Sequence, residues 1–361
     1  MGAGGAEKVV SLLLPKLLND YNVSLVLFSN IIHFEIPDGV KVLILDRSNN
    51  SNKLFKIFGF FNILYKYLNF LRKESIDISL SLLTRPNFIN VLSKFINNKT
   101  KFIISERCYP SIAYKSNVFR YKLYKFLIPL LYNKADVLFS NSIHINRDLR
   151  DNFCVDIPMK VIYNPIDIPN LKSIYDLPEK TIDIIWVGKL NSIKNPNLLV
   201  NSLMLSQIKP RVTFLGEGLL SDNLKYISRN LDVKFEGKVN NVAHFLNLSK
   251  VLVLTSNSEG FPNVILEGMS YGLPIISTNC QSGPLELLNE NEEVNILPND
   301  FFIAKYGILI NVNDEIALSK AIDELLKNSE LYHKLRNASH ERSKMYSTSE
   351  IYNNLSKLIQ S

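Results

Sequence analysis

The 361-residue sequence has few of the residues that build disulfide frameworks and metal sites. Its three cysteines (Cys108, Cys154 and Cys280) are widely spaced and odd in number, which predicts free thiols in a reducing, cytoplasmic compartment. Its five histidines lack the spacing of metal ligands, and no Asp-x-Asp triplet is present to hold a metal against a diphosphate. We therefore expect no metal and no other cofactor.

Long apolar runs and several well-known catalytic loops are also absent. No apolar run reaches the roughly 18 residues that a transmembrane helix needs, and the N-terminus lacks the charged and apolar regions of a signal peptide. The sequence contains neither a Gly-x-Ser-x-Gly elbow nor a Walker-type Gly-Lys-Ser/Thr loop. With 46% hydrophobic and 21% charged residues, the chain is expected to be globular and long enough for two domains.

Positive charge is concentrated in the first half of the chain. Residues 1–170 hold 22 Lys and Arg against 13 Asp and Glu, whereas the remaining residues hold 19 against 21. The net charge of +7 therefore comes from the first half, which favours an anionic partner there, such as a membrane surface, a lipid pyrophosphate or a nucleic acid.

Short β-branched runs alternate with helical stretches along both halves, as in doubly wound parallel sheets. The pattern predicts an α/β fold with two Rossmann-like domains that face a cleft. The predicted boundaries are residues 1–168 for the first domain, 169–180 for a linker, 181–340 for the second domain, and 341–361 for a C-terminal helix that packs back on the first domain. No strand is predicted before the opening glycine loop of the first domain, where such a sheet normally has its first strand.

The most informative segment runs from Ser256 to Pro274. A buried strand, Val251–Thr255, is followed by Gly260-Phe261-Pro262 and then by a predicted helix that starts at Pro262. Glu259 and Glu267 lie eight positions apart on either side of this turn. The free N–H groups of a helix start attract anions, and carboxylates accept hydrogen bonds from hydroxyls. A phosphorylated, polyhydroxylated ligand is therefore predicted, namely a nucleotide sugar.

Other candidate loops also follow predicted strands or precede helices, where ligands bind in open α/β sheets. Gly188 to Asn195 places Lys189 and Lys194 where both ammonium groups could meet one pyrophosphate, although two solvated lysines are the alternative. The loop Gly216-Glu217-Gly218 fits a nucleotide contact and a plain turn equally well. Glu106 and Arg107 end a strand and could face the cleft or form a surface ion pair. Gly4 and Gly5 precede an amphipathic helix, where glycines let the backbone approach a ligand closely, and a plain turn is the alternative.

Two segments of the first half combine bases with aromatic residues. They are residues 52–73 and 114–134, and both are typical of helices that lie in a membrane interface. A core-facing helix with a solvated basic face is the alternative. The confinement of the charge excess to this half favours peripheral contact with a membrane.

Taken together, these motifs resemble retaining glycosyltransferases of family 4, which have the GT-B fold, and the resemblance spans almost the entire chain. The segment Glu259–Glu267 resembles the family's Glu-x7-Glu motif. The segment Val187–Lys194 resembles its basic pair, with Lys189 in place of the usual arginine. The segment Gly4–Glu7 resembles the family's N-terminal glycine loop. Residues 282–286 resemble a variant found in enzymes that build bacterial surface glycans, such as capsule and lipopolysaccharide, on lipid carriers.

The resemblance implies roles for individual residues. Glu267 would hold the ribose, Glu259 the donor sugar, and Lys189 and Lys194 the diphosphate leaving group of a UDP-sugar, in place of a metal. Arg107 stands where many members have a histidine, so the role of that histidine is not transferred. The catalytic candidates are Glu259, Lys194, Lys189, Glu106 and Arg107, and the binding candidates are Gly4, Gly5, Gly188, Gly216, Gly260, Phe261, Pro262, Asn263, Val264 and Glu267.

The expected activity is transfer of a hexose or N-acetylhexosamine to a lipid-linked saccharide at the inner face of a bacterial plasma membrane. Two alternatives remain at this point. One is a sugar-nucleotide epimerase of the same architecture, although no matching histidine constellation is visible. The other is a nucleotide-sugar-binding protein that has lost turnover. A nucleic-acid partner is not expected, because no nucleic-acid module is recognisable.

Overall fold

The computed structural model describes residues 2, 4–45, 53–115, 117–169 and 179–361, without the side chains of residues 53–58. The predicted linker at 169–180 lies largely outside these ranges, as does Asn52. Two compact units are present. Unit 1 comprises Met1–Pro165 and Thr348–Ser361, and unit 2 comprises Ile166–Ser347. Within the described ranges, no helix combines the length and apolar character that crossing a bilayer demands.

Unit 1 alternates strands and helices in the predicted way. Its elements are α1 (Gly5–Asp20), β1 (Ser24–Leu27), β2 (Lys41–Ile44), α2 (Lys53–Lys73), β3 (Ile78–Leu82), α3 (Thr84–Lys94), β4 (Lys101–Glu106), α4 (Pro110–Ala113), α5 (Val118–Tyr132), β5 (Val137–Ser140), α6 (Ile143–Phe153), β6 (Met159–Val161) and, at the C-terminus, the helix Thr348–Gln360.

The parallel strands of unit 1 are divided between two sheets. β1 pairs with β2, while β3, β4, β5 and β6 form a second sheet in that order. Side chains of α1 contact both: Val9 and Leu13 pack with the four-stranded sheet, and Val10 and Leu14 pack with β1 and β2. Helix packing therefore joins the two sheets. The C-terminal helix packs on the same side, where its Ile351 shares a core cluster with Val9.

Unit 2 contains a seven-stranded sheet between helices. Its elements are β7 (Ile182–Val187), α7 (Pro196–Leu205), β8 (Val212–Leu215), α8 (Ser221–Ile227), β9 (Val233–Gly237), α9 (Val242–Asn247), β10 (Ser249–Leu254), α10 (Asn263–Ser270), β11 (Ile275–Thr278), α11 (Pro284–Asn289), β12 (Phe301–Ile303), β13 (Ile308–Ile310), α12 (Glu315–Lys327) and α13 (Ser329–Lys344). The C-terminal helix of unit 1 is therefore α14.

The strand order in unit 2 is β12-β13-β11-β10-β7-β8-β9, and every pairing is parallel except that of β12 with β13. The central strands are apolar on both faces because helices cover both, and Trp186 and Phe214 are fully buried among them. From β7 the chain first builds β8 and β9 on one side, then crosses to β10 on the other. The switch point of the sheet therefore lies between β7 and β10, which is where ligands bind in such folds.

Candidate functional site

The two loops that follow β7 and β10 lie beside each other at this switch point, because β7 and β10 are paired neighbours. Thr255 joins them: its hydroxyl donates to the carbonyl of Lys194 at 2.9 Å and accepts from Trp186 Nε1 at 2.9 Å. Asn257 adds two further bonds, from its backbone N–H to the carbonyl of Ile193 and from its side chain to the carbonyl of Ser192. The loop that carries the lysines is thus fixed to the loop that carries the first glutamate.

Lys194 and Glu259 meet at the junction of these loops. Lys194 Nζ lies 2.5 Å from Glu259 Oε1, and the hydroxyl of Ser256 donates to the same oxygen at 2.6 Å. Glu259 is 9% exposed, while the side chain of Lys194 is 29% exposed. Among the described residues, the side-chain hydrogen bonds to Glu259 go to Oε1, so Oε2 remains an acceptor for a ligand hydroxyl. The ammonium of Lys194 has three donors, so it can bind a phosphate oxygen while it holds Glu259.

The other two predicted residues belong to the same elements. Lys189 is exposed in the loop after β7, next to Gly188, and Glu267 is half-buried in α10. Partial burial, followed by the negative charge of Glu267, raises the pKa of Tyr271. The structure therefore joins Lys194 and Glu259 directly and places Lys189 and Glu267 on the flanking loop and helix.

The turn before α10 presents backbone rather than large side chains. Helix α10 begins at Asn263 with Pro262 as its N-cap, one residue later than predicted, and Asn263 and Val264 are half-exposed in its first turn. Phe261 is 7% exposed, with its ring 6.3 Å from that of Tyr346, so it anchors the turn in the core. The N–H groups of this first turn remain the predicted anion-binding feature.

Gly216 is required by a close approach between backbones. It has a φ of +136°, and a Cβ atom at this position would lie 1.8 Å from the carbonyl oxygen of Gly188. Gly218 repeats the arrangement, since a Cβ atom there would lie 2.3 Å from the carbonyl oxygen of Leu190. These contacts bring the loops after β7 and β8 together. The sequence left a turn and a ligand contact equally open, and the packing explains Gly216 without a ligand.

Glu106, at the end of β4 in unit 1, is fully buried among donors. Its Oε2 accepts from the hydroxyls of Tyr132 at 2.7 Å and Thr84 at 2.9 Å, and its Oε1 accepts from the backbone N–H groups of Arg107 and Cys108. Burial, followed by the charge of Glu106, raises the pKa of Tyr132 well above its usual value. These contacts make Glu106 a residue that holds the loop after β4.

Arg107 lies at the carboxyl ends of three neighbouring strands. Its Nη1 donates to Asn164 Oδ1 at 2.9 Å, Asn141 donates to the same oxygen at 3.3 Å, and its guanidinium lies 5.1 Å from the ring centre of Phe139. Burial lowers the pKa of Arg107 to about 10, against the opposing effect of Glu106. Within the described part of the chain, the buried Nε of Arg107 and Oδ1 of Asn141 have no hydrogen-bond partner. Arg107 therefore remains a cation at the predicted ligand edge of unit 1.

The glycine loop at the start of unit 1 adopts the predicted placement at a helix start. Gly4 is the extended N-cap of α1 and Gly5 is its first residue.

Among the described residues, no three side chains of His, Cys, Asp or Glu gather as metal ligands would. Metal independence itself stays a prediction.

Several residues that shape the site were missed by the sequence analysis. Thr255, Ser256 and Asn257 hold the two loops together in unit 2, and Tyr132, Thr84, Asn141 and Asn164 surround Glu106 and Arg107 in unit 1. Thr255, Asn141 and Asn164 come directly after strands or close to their ends, which is a usable signal. Thr84 and Tyr132 begin and end helices, and nothing in their local sequence connects them to Glu106.

Comparison with known proteins gives a consistent family. Residues 167–342 match the family model of glycosyl transferases group 1. The chain is 31% identical over 355 residues to the N-acetylgalactosamine-N,N'-diacetylbacillosaminyl-diphospho-undecaprenol 4-alpha-N-acetylgalactosaminyltransferase of Campylobacter jejuni, and this match covers 96% of the chain and 93% of the relative. A lipopolysaccharide 1,6-galactosyltransferase of Escherichia coli is 26% identical over 192 residues, about half of each chain (49% and 52%).

Solved structures share the fold across the whole length. The apo form of the lipopolysaccharide outer core galactosyltransferase WaaB matches with a TM-score of 0.72 at 19% identity, over 99% of this chain and 96% of that one. Anabaena HepE in complex with UDP-glucose matches with a TM-score of 0.75 at 15% identity, over 99% and 96%. The predicted α/β class with two Rossmann-like domains is confirmed. Because the curated C. jejuni relative is matched over nearly the full length of both proteins, the chain belongs to the glycosyl transferases of group 1, with the GT-B fold.

Proposed function

We propose that this protein is a retaining, family 4 transferase that moves a hexose or N-acetylhexosamine from a UDP-sugar to a lipid-linked saccharide in the assembly of a bacterial surface glycan. The observation that carries this proposal is the Lys194–Glu259 pair, fixed between two loops at the switch point of unit 2. It supplies a cation for phosphate and a carboxylate oxygen for sugar hydroxyls at one position. The C. jejuni relative, which by its name acts on a diphospho-undecaprenol-linked saccharide, supports the acceptor class.

In the proposed mechanism, charge develops on the β-phosphate as the glycosidic bond breaks. Lys194 and Lys189 stabilise that charge, with the N–H groups at the start of α10 as further donors, and no metal is needed. Glu259 Oε2 binds hydroxyls of the donor sugar and Glu267 binds those of the ribose. The acceptor hydroxyl attacks the anomeric carbon from the face that the diphosphate leaves, so the anomeric configuration is retained. A phosphate oxygen of the leaving diphosphate takes the proton of that hydroxyl.

Unit 1 is proposed to bind the acceptor. Arg107 lies at the carboxyl ends of β4, β5 and β6, and it offers a cation to an anionic or hydroxylated group. Its own Nε and the neighbouring Asn141 Oδ1 are buried without a hydrogen-bond partner among the residues that the structure describes. Glu106 keeps Arg107 in place through the bond that it accepts from the backbone N–H of Arg107, rather than by contact with substrate.

The direct test is a panel of radiolabelled UDP-sugars incubated with extracted lipid-linked acceptors. Transfer of label into the lipid fraction, with the anomeric configuration of the donor kept in the product, is expected. Incubation of UDP-GlcNAc without acceptor, followed by NMR, tests the epimerase alternative, which predicts a sugar inverted at C2. Binding of UDP without transfer to any acceptor would favour a protein that has lost turnover.

Peripheral membrane contact is proposed to occur through α5. Phe119, Leu123, Phe126 and Leu130 follow the spacing i, i+4, i+7 and i+11, so they form one stripe, and all four are exposed, Phe119 at 79% and Phe126 at 66%. The bases Arg120, Lys122 and Lys125 are exposed on the same helix, and the sequence has no acidic residue between positions 107 and 135. An exposed apolar stripe on a helix whose charged residues are all basic suits the interface of an anionic bilayer.

Replacing both phenylalanines of the stripe should weaken binding to vesicles. We expect the double variant Phe119→Ser/Phe126→Ser to lose more than tenfold in partitioning, because each ring removed from the interface loses on the order of 1 kcal/mol of apolar burial. The fraction of protein bound to phosphatidylglycerol-containing vesicles is measured by flotation. Leu297→Ser is the control, since Leu297 is 62% exposed on unit 2. Equal binding of both variants, or dimerisation through the stripe in vesicle-free solution, would contradict the proposal.

A further inference from the structure

The loop that follows β11 (residues 279–283) lies along the loop that carries Glu259. β11 pairs with β10 in parallel, so the two loops leave the sheet at the same edge. The backbone N–H of Glu259 donates to the carbonyl of Gln281 at 3.3 Å, and the hydroxyl of Thr278 donates to the carbonyl of Ser256 at 2.6 Å. The loop that carries Glu259 is therefore supported on both sides, by the lysine loop on one and by the loop after β11 on the other.

Two residues of the loop after β11 have backbone conformations that fix this contact. Ser282 is 1% exposed with a φ of +69°, and its hydroxyl donates to the carbonyl of Gly260 at 2.6 Å. Gly283 has a φ of +98°, and a Cβ atom there would lie 2.3 Å from Pro262 Cδ. A non-glycine residue in the left-handed region costs about 1–3 kcal/mol and persists where its surroundings impose it. Here the surroundings are the turn between Glu259 and α10.

Within the described ranges, the side-chain hydrogen bonds to the carboxylate of Glu259 all go to one oxygen. Lys194 and Ser256 both bind Oε1, so the direction of Oε2 depends on where the backbone from Glu259 to Pro262 lies. That backbone rests on the loop after β11, at residues 281–283. A small displacement of Gly260 or Pro262 would turn Oε2 without breaking the ion pair.

We propose that Ser282 and Gly283 are positioning residues for the donor sugar, acting through Glu259. The inference rests on the proposed function and deepens it, because it separates recognition of the sugar from recognition of the nucleotide. The UDP part is assigned to the lysines of the loop after β7 and to Glu267 within α10, whereas the loop after β11 supports the turn that carries Glu259. Disturbing this loop therefore changes the affinity for UDP-sugar more than the affinity for UDP.

The variant Gly283→Ala introduces a methyl group against Pro262, and Ser282→Ala removes the bond to Gly260. For Gly283→Ala we expect the KM for UDP-sugar to rise about tenfold or more, while calorimetric affinity for UDP changes less than threefold. For Ser282→Ala we expect a smaller change in the same direction. Gly39→Ala is the matched control, because Gly39 has a similar φ of +91° but a Cβ atom there would come no closer than 3.9 Å to another atom.

A second-site variant separates positioning from loss of folding. Pro262→Ala removes the ring atoms that the new methyl group meets, so Gly283→Ala/Pro262→Ala should recover part of the affinity for UDP-sugar, while the strain of an alanine at a φ of +98° remains. If Gly283→Ala lowers only the melting temperature, or weakens UDP and UDP-sugar equally, the loop has no positioning role and the proposal falls. If the wild type neither binds nor transfers a UDP-sugar, the proposed function itself fails, which is a different result.

Discussion

Replacing Lys194 by alanine should lower kcat/KM for the UDP-sugar by a factor of roughly 10²–10³, or about 2.7–4 kcal/mol, which is typical for loss of one preorganised group that stabilises developing charge. Lys194 Nζ lies 2.5 Å from Glu259 Oε1, and the backbone carbonyl of Lys194 accepts a hydrogen bond from Thr255. The ammonium group is therefore already positioned for the leaving phosphate. The measurement is initial-rate kinetics with the labelled donor identified in the panel.

Lys194→Ala also leaves Glu259, which is 9% exposed, without its cation. A buried carboxylate without a partner destabilises the loop that carries it. Glu259→Gln/Lys194→Ala removes that unpaired charge. We expect the double variant to recover melting temperature but not activity. Lys327→Ala is the control for loss of a lysine, because Lys327 is exposed on α12 and its Nζ bonds to Gln207. Full activity in Lys194→Ala would contradict the assignment of Lys194 to the diphosphate.

Gly216→Ala should have the largest effect on folding. The methyl group would lie 1.8 Å from the carbonyl oxygen of Gly188, at a φ of +136° that L-residues rarely adopt. Strain of about 1–3 kcal/mol adds to overpacking of about 1–3 kcal/mol, so unit 2 should lose on the order of 4 kcal/mol. For a unit of this size, that corresponds to a fall of roughly 10 °C in melting temperature.

The single tryptophan makes this loss measurable in unit 2 alone. Trp186 is buried in β7, two residues before Gly188, so its fluorescence reports unfolding of this sheet. Gly237→Ala is the matched control, because Gly237 also has a positive φ (+67°) but a Cβ atom there would come no closer than 3.5 Å to another atom. It should show the strain without the clash. Equal melting temperatures for the two variants would show that the backbones of Gly216 and Gly188 can separate at little cost.

Local sequence predicted most of the sheet because the central strands are buried on both faces and therefore read as short apolar runs. Val137–Ser140, Ile182–Val187 and Val212–Leu215 are apolar runs of this kind, and each forms a strand. The short strands Phe301–Ile303 and Ile308–Ile310 were not predicted, since three residues do not establish a period. The division of unit 1 into two sheets was also not visible in the alternation of elements, because strand pairing is a long-range property.

The sequence by itself determined which chemistry is present: two carboxylates eight residues apart around a strand-to-helix turn, and two lysines on another such loop. Their positions after predicted strands also indicate that they lie near one another, because the carboxyl ends of parallel strands lie at one edge of a sheet. Only the tertiary structure decided that Lys194 pairs with Glu259, that Phe261 and Glu106 turn inward, and that Gly216 serves a contact between backbones. Each of these depends on residues at least 22 positions apart in the chain, and local preferences carry no information about such contacts.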